Sequence, residues 1–350
     1  MTATAQMRAM AVVDYARPLE RLTLPRPSPG PGEVLVRVLY CGVCYSDFKT
    51  VTGRMAYSAH LPLPHVAGHE ISGEVAAVGP GVTLPVGQRV VVYIYWGCGA
   101  CRACRLGLEP LCAAPRGWVG FTTPGGFQEY LVVPASHVLP LPASVPPERA
   151  AALSCATGTS YRAVVTRGQV RPGETALVIG AGGVGLHTVQ LARAAGARVL
   201  AVDLDARKLA AARAYGAAAA ALADDAAPAW VRQHTDGAGA DVVFDCAGRA
   251  ESLALASAAV APAGRVVLVG YTVGARYPIP SAETMMGEIS YLGSRYVLRH
   301  ELARAIQLVA DGVIQPVVDS VLDLEEANTA LTRLDTTGAV GRIVLKVATD

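Results

Sequence analysis

Four of the eight cysteines in this 350-residue chain fall within one short run, Cys98-x-x-Cys101-x-x-Cys104 followed by Cys112. Four thiolates this close suit tetrahedral Zn²⁺. Four protein ligands leave no open coordination position, so such a site is structural. Iron–sulfur clusters also take four cysteines, but the bacterial run has three residues before its last cysteine and a proline after it. Here seven residues intervene and Ala113 follows. A second set of metal-binding residues is scattered: Cys44 in Cys41-Gly42-Val43-Cys44-Tyr45-Ser46-Asp47, His69 in Gly68-His69-Glu70, and Cys155. Two sulfurs and an imidazole match the Cys₂His type of catalytic zinc, which keeps a fourth position for water or substrate. Spacing alone does not assemble these three. His65, four residues before His69, competes as a ligand.

The stretch Leu177-Val178-Ile179-Gly180-Ala181-Gly182-Gly183-Val184-Gly185 carries a different chemistry. An apolar run of strand character meets glycines spaced G-x-G-x-x-G, and a helical pattern follows from Leu186 to Ala195. Gly180 permits a tight turn, Gly182 lets the backbone approach a pyrophosphate, and Gly185 lets helix and strand pack closely. Gly183 and Val184, in the first turn, belong to the same candidate site, because a helix N-terminus favours negative charge. A second strand, Arg198 to Val202, ends in Asp203, at about the ~20-residue distance expected of a ribose-binding acid. A carboxylate there accepts hydrogen bonds from the ribose hydroxyls and repels a 2′-phosphate, which favours NAD over NADP. Arg207 and Lys208 follow; they read first as a solvated helix turn, with Lys208 kept as a candidate cofactor contact.

These motifs need a scaffold, and the rest of the chain supplies one. Residues from Met7 to about Cys155 read as β-rich: Val34 to Val38 and Ile71 to Val78 alternate, and Arg89 to Ile94 is nearly continuous β-branched character. A helical, alanine-rich stretch runs from about Pro147 to Thr166. Beyond it strands (Asp241 to Asp245, Arg265 to Gly270) alternate with helices (Arg207 to Tyr215, Glu251 to Val260), which predicts a parallel sheet with crossover helices. Ala217 to Ala227 reads as a helix or a surface connection. Helices near Glu301 to Gly312 and Leu324 to Leu334 precede a final strand, Gly341 to Val347. The length predicts two domains. A 52% apolar, 17% charged composition describes a compact protein. The net charge of +2 offers no basic patch for nucleic acid, and no stretch is long and apolar enough for a membrane span. Met1 to Gln6 lacks the pattern of a signal peptide, so a cytoplasmic protein is expected, without a disulfide framework and with Cys41 and Cys246 left over from the metal patterns as small apolar residues.

Along nearly its whole length the chain resembles the zinc-containing medium-chain alcohol dehydrogenase family. Cys41 to Asp47 resembles the motif whose second cysteine binds the catalytic zinc. Gly68-His69-Glu70 resembles the Gly-His-Glu motif, and Leu153-Ser154-Cys155-Ala156 the stretch supplying the third ligand. The Cys98 to Cys112 run is similar to the structural-zinc loop. Gly341-Arg342 resembles the position from which an arginine reaches the cofactor pyrophosphate. The chain departs from the family at Lys49, where a relay histidine is common, and at Tyr45, where Arg or His often faces the pyrophosphate.

The resemblance implies a β-rich GroES-like catalytic domain (1–155 and 295–350) and an NAD-binding Rossmann domain with a doubly wound parallel sheet (156–294). It implies two zinc ions per chain and reversible alcohol oxidation, with the substrate oxygen on the zinc of Cys44, His69 and Cys155 and hydride passing to NAD. Ser46 would take the hydroxyl proton, Asp47 would orient His69, and Glu70 would be a neighbouring carboxylate or a transient ligand. Tyr57, Tyr93, Ile94, Trp96 and Trp118 are candidate cleft residues, with Tyr93 and Trp118 singled out. They would suit a hydrophobic alcohol or aldehyde. A homotetramer is expected, with a dimer next. The alternatives are a zinc-retaining reductase of an activated C=C or C=N bond and a catalytically silent dinucleotide- or zinc-binding homologue.

Overall fold

A computed structural model describes residues 5–15, 17–55, 61–336 and 338–348. Tyr57 lies outside the described residues. The chain divides into two units, one of Met1–Cys155, Leu298–Ala310 and Val318–Asp350, the other of Ala156–Val297 and Asp311–Val317. The division differs from the expected one at 295–297 and 311–317, which join the second unit. For 311–317 the reason is local: the Gln190 side chain donates to Gln315 O (2.9 Å) and accepts from Gln315 N (2.9 Å), and Val317 N donates to His187 Nε2 (3.1 Å).

In the first unit the long strand Glu33–Val43 pairs antiparallel with Glu70–Val78, with Tyr130–Pro134 and with the final strand Arg342–Lys346. Register decides what meets at its end: Gly42 lies opposite Glu70, and Val43 opposite Ile343. Cys44, Glu70 and Arg342 therefore arrive at one end of three adjacent strands. The crossing is close enough that a Cβ on Gly42 would lie 2.5 Å from Glu70 Oε2 and 2.9 Å from Glu70 Cβ, so a side chain there would have to displace Glu70. The strand's inward residues Val34, Val36, Val38, Cys41 and Val43 are all fully buried, as alternation on a half-buried sheet predicts.

The second unit is a six-stranded parallel sheet in the spatial order Ala219–Leu222, Arg198–Asp203, Thr175–Ile179, Ala240–Asp245, Val260–Leu268, Ser290–Gly293. Numbered along the chain this is 3-2-1-4-5-6, the doubly wound Rossmann order, which reverses direction between Thr175–Ile179 and Ala240–Asp245. Leu177, Val178, Leu200, Val243 and Phe244 are fully buried, the apolar character of strands covered on both faces. One element differs from its sequence reading. Ala219–Leu222, within the stretch read as helix or connection, is an edge strand paired parallel with Leu200 to Asp203; a run of alanines carries neither period, so tertiary pairing decides.

Beneath this sheet Arg265 grips Glu174 with two bonds, Nη2 to Oε2 at 2.7 Å and Nη1 to Oε1 at 3.0 Å. Burial alone would raise the Glu174 pKa, but the Arg265 bonds and the Arg171 N–H hold it below the ordinary value of 4.5. A carboxylate depressed in the folded state stabilises fully above its unfolded pKa and loses that contribution as pH falls through the folded value. Arg265→Ala is expected to destabilise the protein by about 1–2 kcal/mol at pH 7. Its deficit relative to the parent, measured by urea titration, should shrink below about pH 4.5; a deficit constant down to pH 3 would remove the ion pair as its cause.

Candidate metal centres and dinucleotide site

Within the first unit the scattered set converges. Ligand atoms of Cys44, His69, Glu70 and Cys155 all lie within 4.8 Å of one another. Cys44 caps the helix Tyr45–Val51, and the third residue of that helix, Asp47, turns its carboxylate back onto the cap. Asp47 Oδ2 accepts from Cys44 N (2.9 Å), while Oδ1 accepts from His69 Nδ1 (2.7 Å) and Gly68 N (3.2 Å). A carboxylate on Nδ1–H leaves the Nε2 lone pair free for a cation. Burial pushes His69 toward the neutral ring, but Asp47 and the Cys44 sulfur hold its pKa well above the usual value. Cys155 lies on a short π-helical stretch, Leu153–Thr157, whose Ser154 hydroxyl donates to His69 O (3.4 Å).

Arg342 completes the group. Its Nη2 lies 2.9 Å from Glu70 Oε1, 3.6 Å from Cys44 Sγ and 3.9 Å from Cys155 Sγ. The resemblance assigns this arginine to a cofactor pyrophosphate; the structure commits Nη2 to Glu70 and the two sulfurs. Burial raises Glu70 to about 7, with Arg342 pulling the other way. The hydrogen bond from Cys155 and the charge of Arg342 lower Cys44, against its burial, while Cys155 rises well above the usual thiol value. Glu70 Oε2 is buried without a hydrogen-bond partner. Two sulfurs, an imidazole nitrogen and a carboxylate oxygen, all within 4.8 Å of one another, are a donor set that fits a divalent cation such as Zn²⁺.

The four-cysteine run also closes on itself. Cys98 and Cys104 Sγ are 3.9 Å apart, and Cys101 and Cys112 Sγ 3.8 Å. Tetrahedral zinc with bonds of about 2.3 Å requires sulfurs about 3.8 Å apart. Backbone N–H groups of Cys98 and Cys101 point at Cys112 Sγ and Cys98 Sγ (both 3.3 Å), the arrangement that favours thiolates.

In the second unit the glycine loop leaves the central strand at the sheet's reversal point. Gly180 has φ +89, which L side chains rarely adopt, and a Cβ on Gly185 would lie 1.8 Å from Gly180 O. A Cβ on Gly182 would instead meet nothing within 4 Å, the open approach a pyrophosphate needs. The helix Gly183–Ala194 starts there. Asp203, nearly buried, accepts from Ala181 N (2.7 Å) and Asp205 N (2.9 Å).

Two family descriptions match this chain, the alcohol dehydrogenase GroES-like domain over residues 30–143 and zinc-binding dehydrogenase over residues 183–311. The alcohol dehydrogenase of Geobacillus stearothermophilus is 36% identical over 97% of this chain and 100% of its own length. The acryloyl-coenzyme A reductase of Metallosphaera sedula is 31% identical over 97% of this chain and 99% of its own. A solved structure of an NAD-dependent alcohol dehydrogenase superposes with a TM-score of 0.91 at 34% identity, covering 98% of this chain and 100% of that one. The chain belongs to the zinc-containing medium-chain dehydrogenase/reductase family.

In this medium-chain dehydrogenase the other candidate residues fall out as follows. His65 lies apart from the metal group, its Nε2 3.2 Å from Gly120 O and its pKa lowered by burial. Tyr93 is fully buried, with its ring 5.8 Å from that of His137. Ile94 is equally buried, and Trp96 packs edge-on to His137. Trp118 is half-buried and lies one ring removed from the centre, 4.0 Å from Phe121, which in turn is 4.6 Å from His69. Phe121 is thus the aromatic wall of the centre; nothing in the spacing marks it. The Glu70–Arg342 pair is likewise invisible in sequence, since a strand register creates it. Ser46 and Lys49 are half-buried on the Cys44 helix, with Lys49 Nζ 5.5 Å from the Tyr45 ring and its pKa lowered by burial. Lys208 is half-buried on the helix Ala206–Ala214.

Asp47→Asn keeps the side chain's size but replaces one acceptor oxygen by a donor facing His69 or the Cys44 N–H. It is expected to weaken zinc binding about 10–100-fold, read by competition with a chelator. Unchanged affinity would show that His69 is oriented by something else.

Proposed function

We propose that this chain is a zinc-dependent, NAD(H)-using alcohol dehydrogenase that interconverts a small alcohol and its aldehyde or ketone. One observation carries the reading: Cys44, His69 and Cys155 converge around a common centre with Asp47 holding His69 Nδ1. Zinc, when bound, supplies a Lewis acid to the substrate oxygen, and NAD⁺ a hydride acceptor. Every other task falls to the chain. Cys44, His69 and Cys155 would hold the ion. Asp47 fixes the imidazole tautomer. Arg342 balances the negative charge of Glu70 and the sulfurs. Ser46 takes the hydroxyl proton; Lys49 stands where the family often has a relay histidine, and while protonated it has no lone pair with which to accept a proton. Phe121 walls the centre with an apolar face, in keeping with a hydrophobic substrate.

Cys98, Cys101, Cys104 and Cys112 hold a second, structural zinc under this proposal. Gly180, Gly182, Gly183, Val184, Gly185, Asp203 and Lys208 hold NAD. Among the described residues no helix is long and apolar enough to cross a membrane, in keeping with a cytoplasmic enzyme, and the family resemblance supports a homotetramer, with a dimer next. A second reading, reduction of an activated C=C bond, is favoured by the acryloyl-coenzyme A reductase among the relatives.

A screen of primary, secondary, aromatic and polyol alcohols with NAD⁺, set beside enoyl thioesters with NADH, separates the two; turnover of the thioesters alone would overturn the alcohol dehydrogenase reading. Cys44→Ser is expected to abolish turnover, at least 100-fold, and to remove one of two zinc equivalents by elemental analysis. Cys112→Ser should remove the other and lower the thermal midpoint. Full turnover by Cys44→Ser would take Cys44 out of the site.

A further inference from the structure

Three polar side chains with no exposed surface stand behind the first turn of the helix Gly183–Ala194 in the second unit: Ser160, His187 and Thr188. Their neighbours on that helix, Leu186 and Val189, are buried and apolar. A buried polar group costs stability unless it finds a hydrogen-bond partner. All three direct donors at the same short stretch of backbone.

His187 Nε2 accepts from Val317 N at 3.1 Å. A backbone N–H can only donate, so the ring proton sits on Nδ1, and Nδ1 lies 2.6 Å from Gly183 O. Thr188 Oγ1 lies 3.1 Å from Val184 O, and Ser160 Oγ, from the helix Gly158–Tyr161, 2.8 Å from the same oxygen. The two hydroxyls are 3.1 Å apart; Ser160 also reaches Ala156 O at 2.8 Å, and Thr188 Oγ1 lies 3.9 Å from Cys246 Sγ. Each hydroxyl has one proton to give, and Val184 O is the backbone acceptor within reach of both. A single bond from Thr to the carbonyl four residues before it is common in helices. That habit does not account for three side chains, one of them from another helix, meeting two successive carbonyls of one turn.

The position of those carbonyls gives the cluster its meaning. The first N–H groups of a helix have no partner within it, and here they are those of Gly183, Val184 and Gly185. Gly183 O and the Val184 N–H belong to one peptide unit; Val184 O and the Gly185 N–H belong to the next. An extra bond to the carbonyl polarises the whole unit and strengthens its N–H as a donor. We propose that His187, Thr188 and Ser160 are positioning residues for the dinucleotide, fixing and polarising from behind the two peptide units whose N–H groups receive its pyrophosphate. This rests on the reading of the glycine loop as an NAD site. None of the three touches the cofactor, so their effect is confined to the part of the ligand that brings charge to the helix N-terminus. A ligand without that charge is indifferent to them.

The test compares NAD⁺ with adenosine, which has the adenine and ribose but no phosphate. Dissociation constants are measured by calorimetry on the zinc-loaded full chain, with adenosine read by displacement of NAD⁺. The variants are Thr188→Val, Thr188→Ser, Ser160→Ala, the double variant Ser160→Ala with Thr188→Val, and His187→Phe; thermal melting checks folding. The double variant is expected to bind NAD⁺ about fivefold more weakly, with adenosine affinity changed less than about twofold. Thr188→Ser keeps the hydroxyl and should bind both ligands as the parent does. His187→Phe should weaken NAD⁺ by a similar factor; if the orphaned Val317 N–H prevents its folding, the hydroxyl variants decide alone. An equal loss for both ligands would reduce the cluster to core packing, and undiminished NAD⁺ affinity in the double variant would remove its role. Either result overturns the proposal while leaving the NAD site standing. Failure of the unaltered protein to bind NAD⁺ would overturn the site and the proposal together.

Discussion

A single carboxylate with no exposed surface, that of Asp47, ties the metal-binding group together. Burying a carboxylate costs several kcal/mol unless donors replace its water. Here three do: the Cys44 N–H, the Gly68 N–H and the His69 ring. Two of these donors belong to candidate metal ligands, Cys44 and His69, and the third to the residue before His69. The loop that delivers one sulfur and the turn that delivers the imidazole are therefore locked to each other before any cation arrives, and the cost of the charge is met by bonds that also fix ligand direction. A hydrophobic replacement of Asp47 could fill the space but could not set the imidazole tautomer.

The second constraint is register. The centre's ligands and charges arrive from separate segments, and three of them are placed by antiparallel pairing around Glu33–Val43. A slip of one residue in any of these pairs would send alternate side chains to the opposite face of the sheet, so Glu70 or Arg342 would leave the group. The many fully buried valines along the strand supply the energetic penalty against such a slip. The catalytic reading thus depends on ordinary core packing as much as on the ligands.

How much of this was legible in the chain follows from the range of each interaction. The four-cysteine run and the glycine loop are readable because their parts are near neighbours in sequence, and each spacing has one local geometry that uses it. The set Cys44, His69 and Cys155 is not assembled by spacing, and only the likeness to a family joins it. The Glu70–Arg342 pair and the wall provided by Phe121 required strand pairing and loop packing between distant segments. The burial of Tyr93 is likewise a matter of distant pairing: its backbone N–H donates to His137 O, and its ring lies beside the His137 ring in the core. Ala219–Leu222 was missed because its alanines satisfy no pattern, and the strand exists only because Arg198–Asp203 offers an edge.

Charge gives the last step. The centre gathers the carboxylates of Asp47 and Glu70 and the sulfurs of Cys44 and Cys155 around one guanidinium, Arg342. Two sulfurs this close cannot both ionise freely, and the thiols divide: Cys44 is held toward thiolate and Cys155 toward thiol. Glu70 is drawn up to about 7 by its burial despite the arginine. Those opposed shifts describe a group of donors in excess of the positive charge among them. A divalent cation at their common centre would ionise both thiols and relieve Glu70, with release of the displaced protons. The closed lobe at Cys98 to Cys112 contrasts with this. Two of its sulfur pairs are already at the spacing of a tetrahedral ion, and two of its N–H groups already point at sulfur. One donor set thus consists of four like sulfurs, while the other mixes two sulfurs, an imidazole and a carboxylate beside a guanidinium.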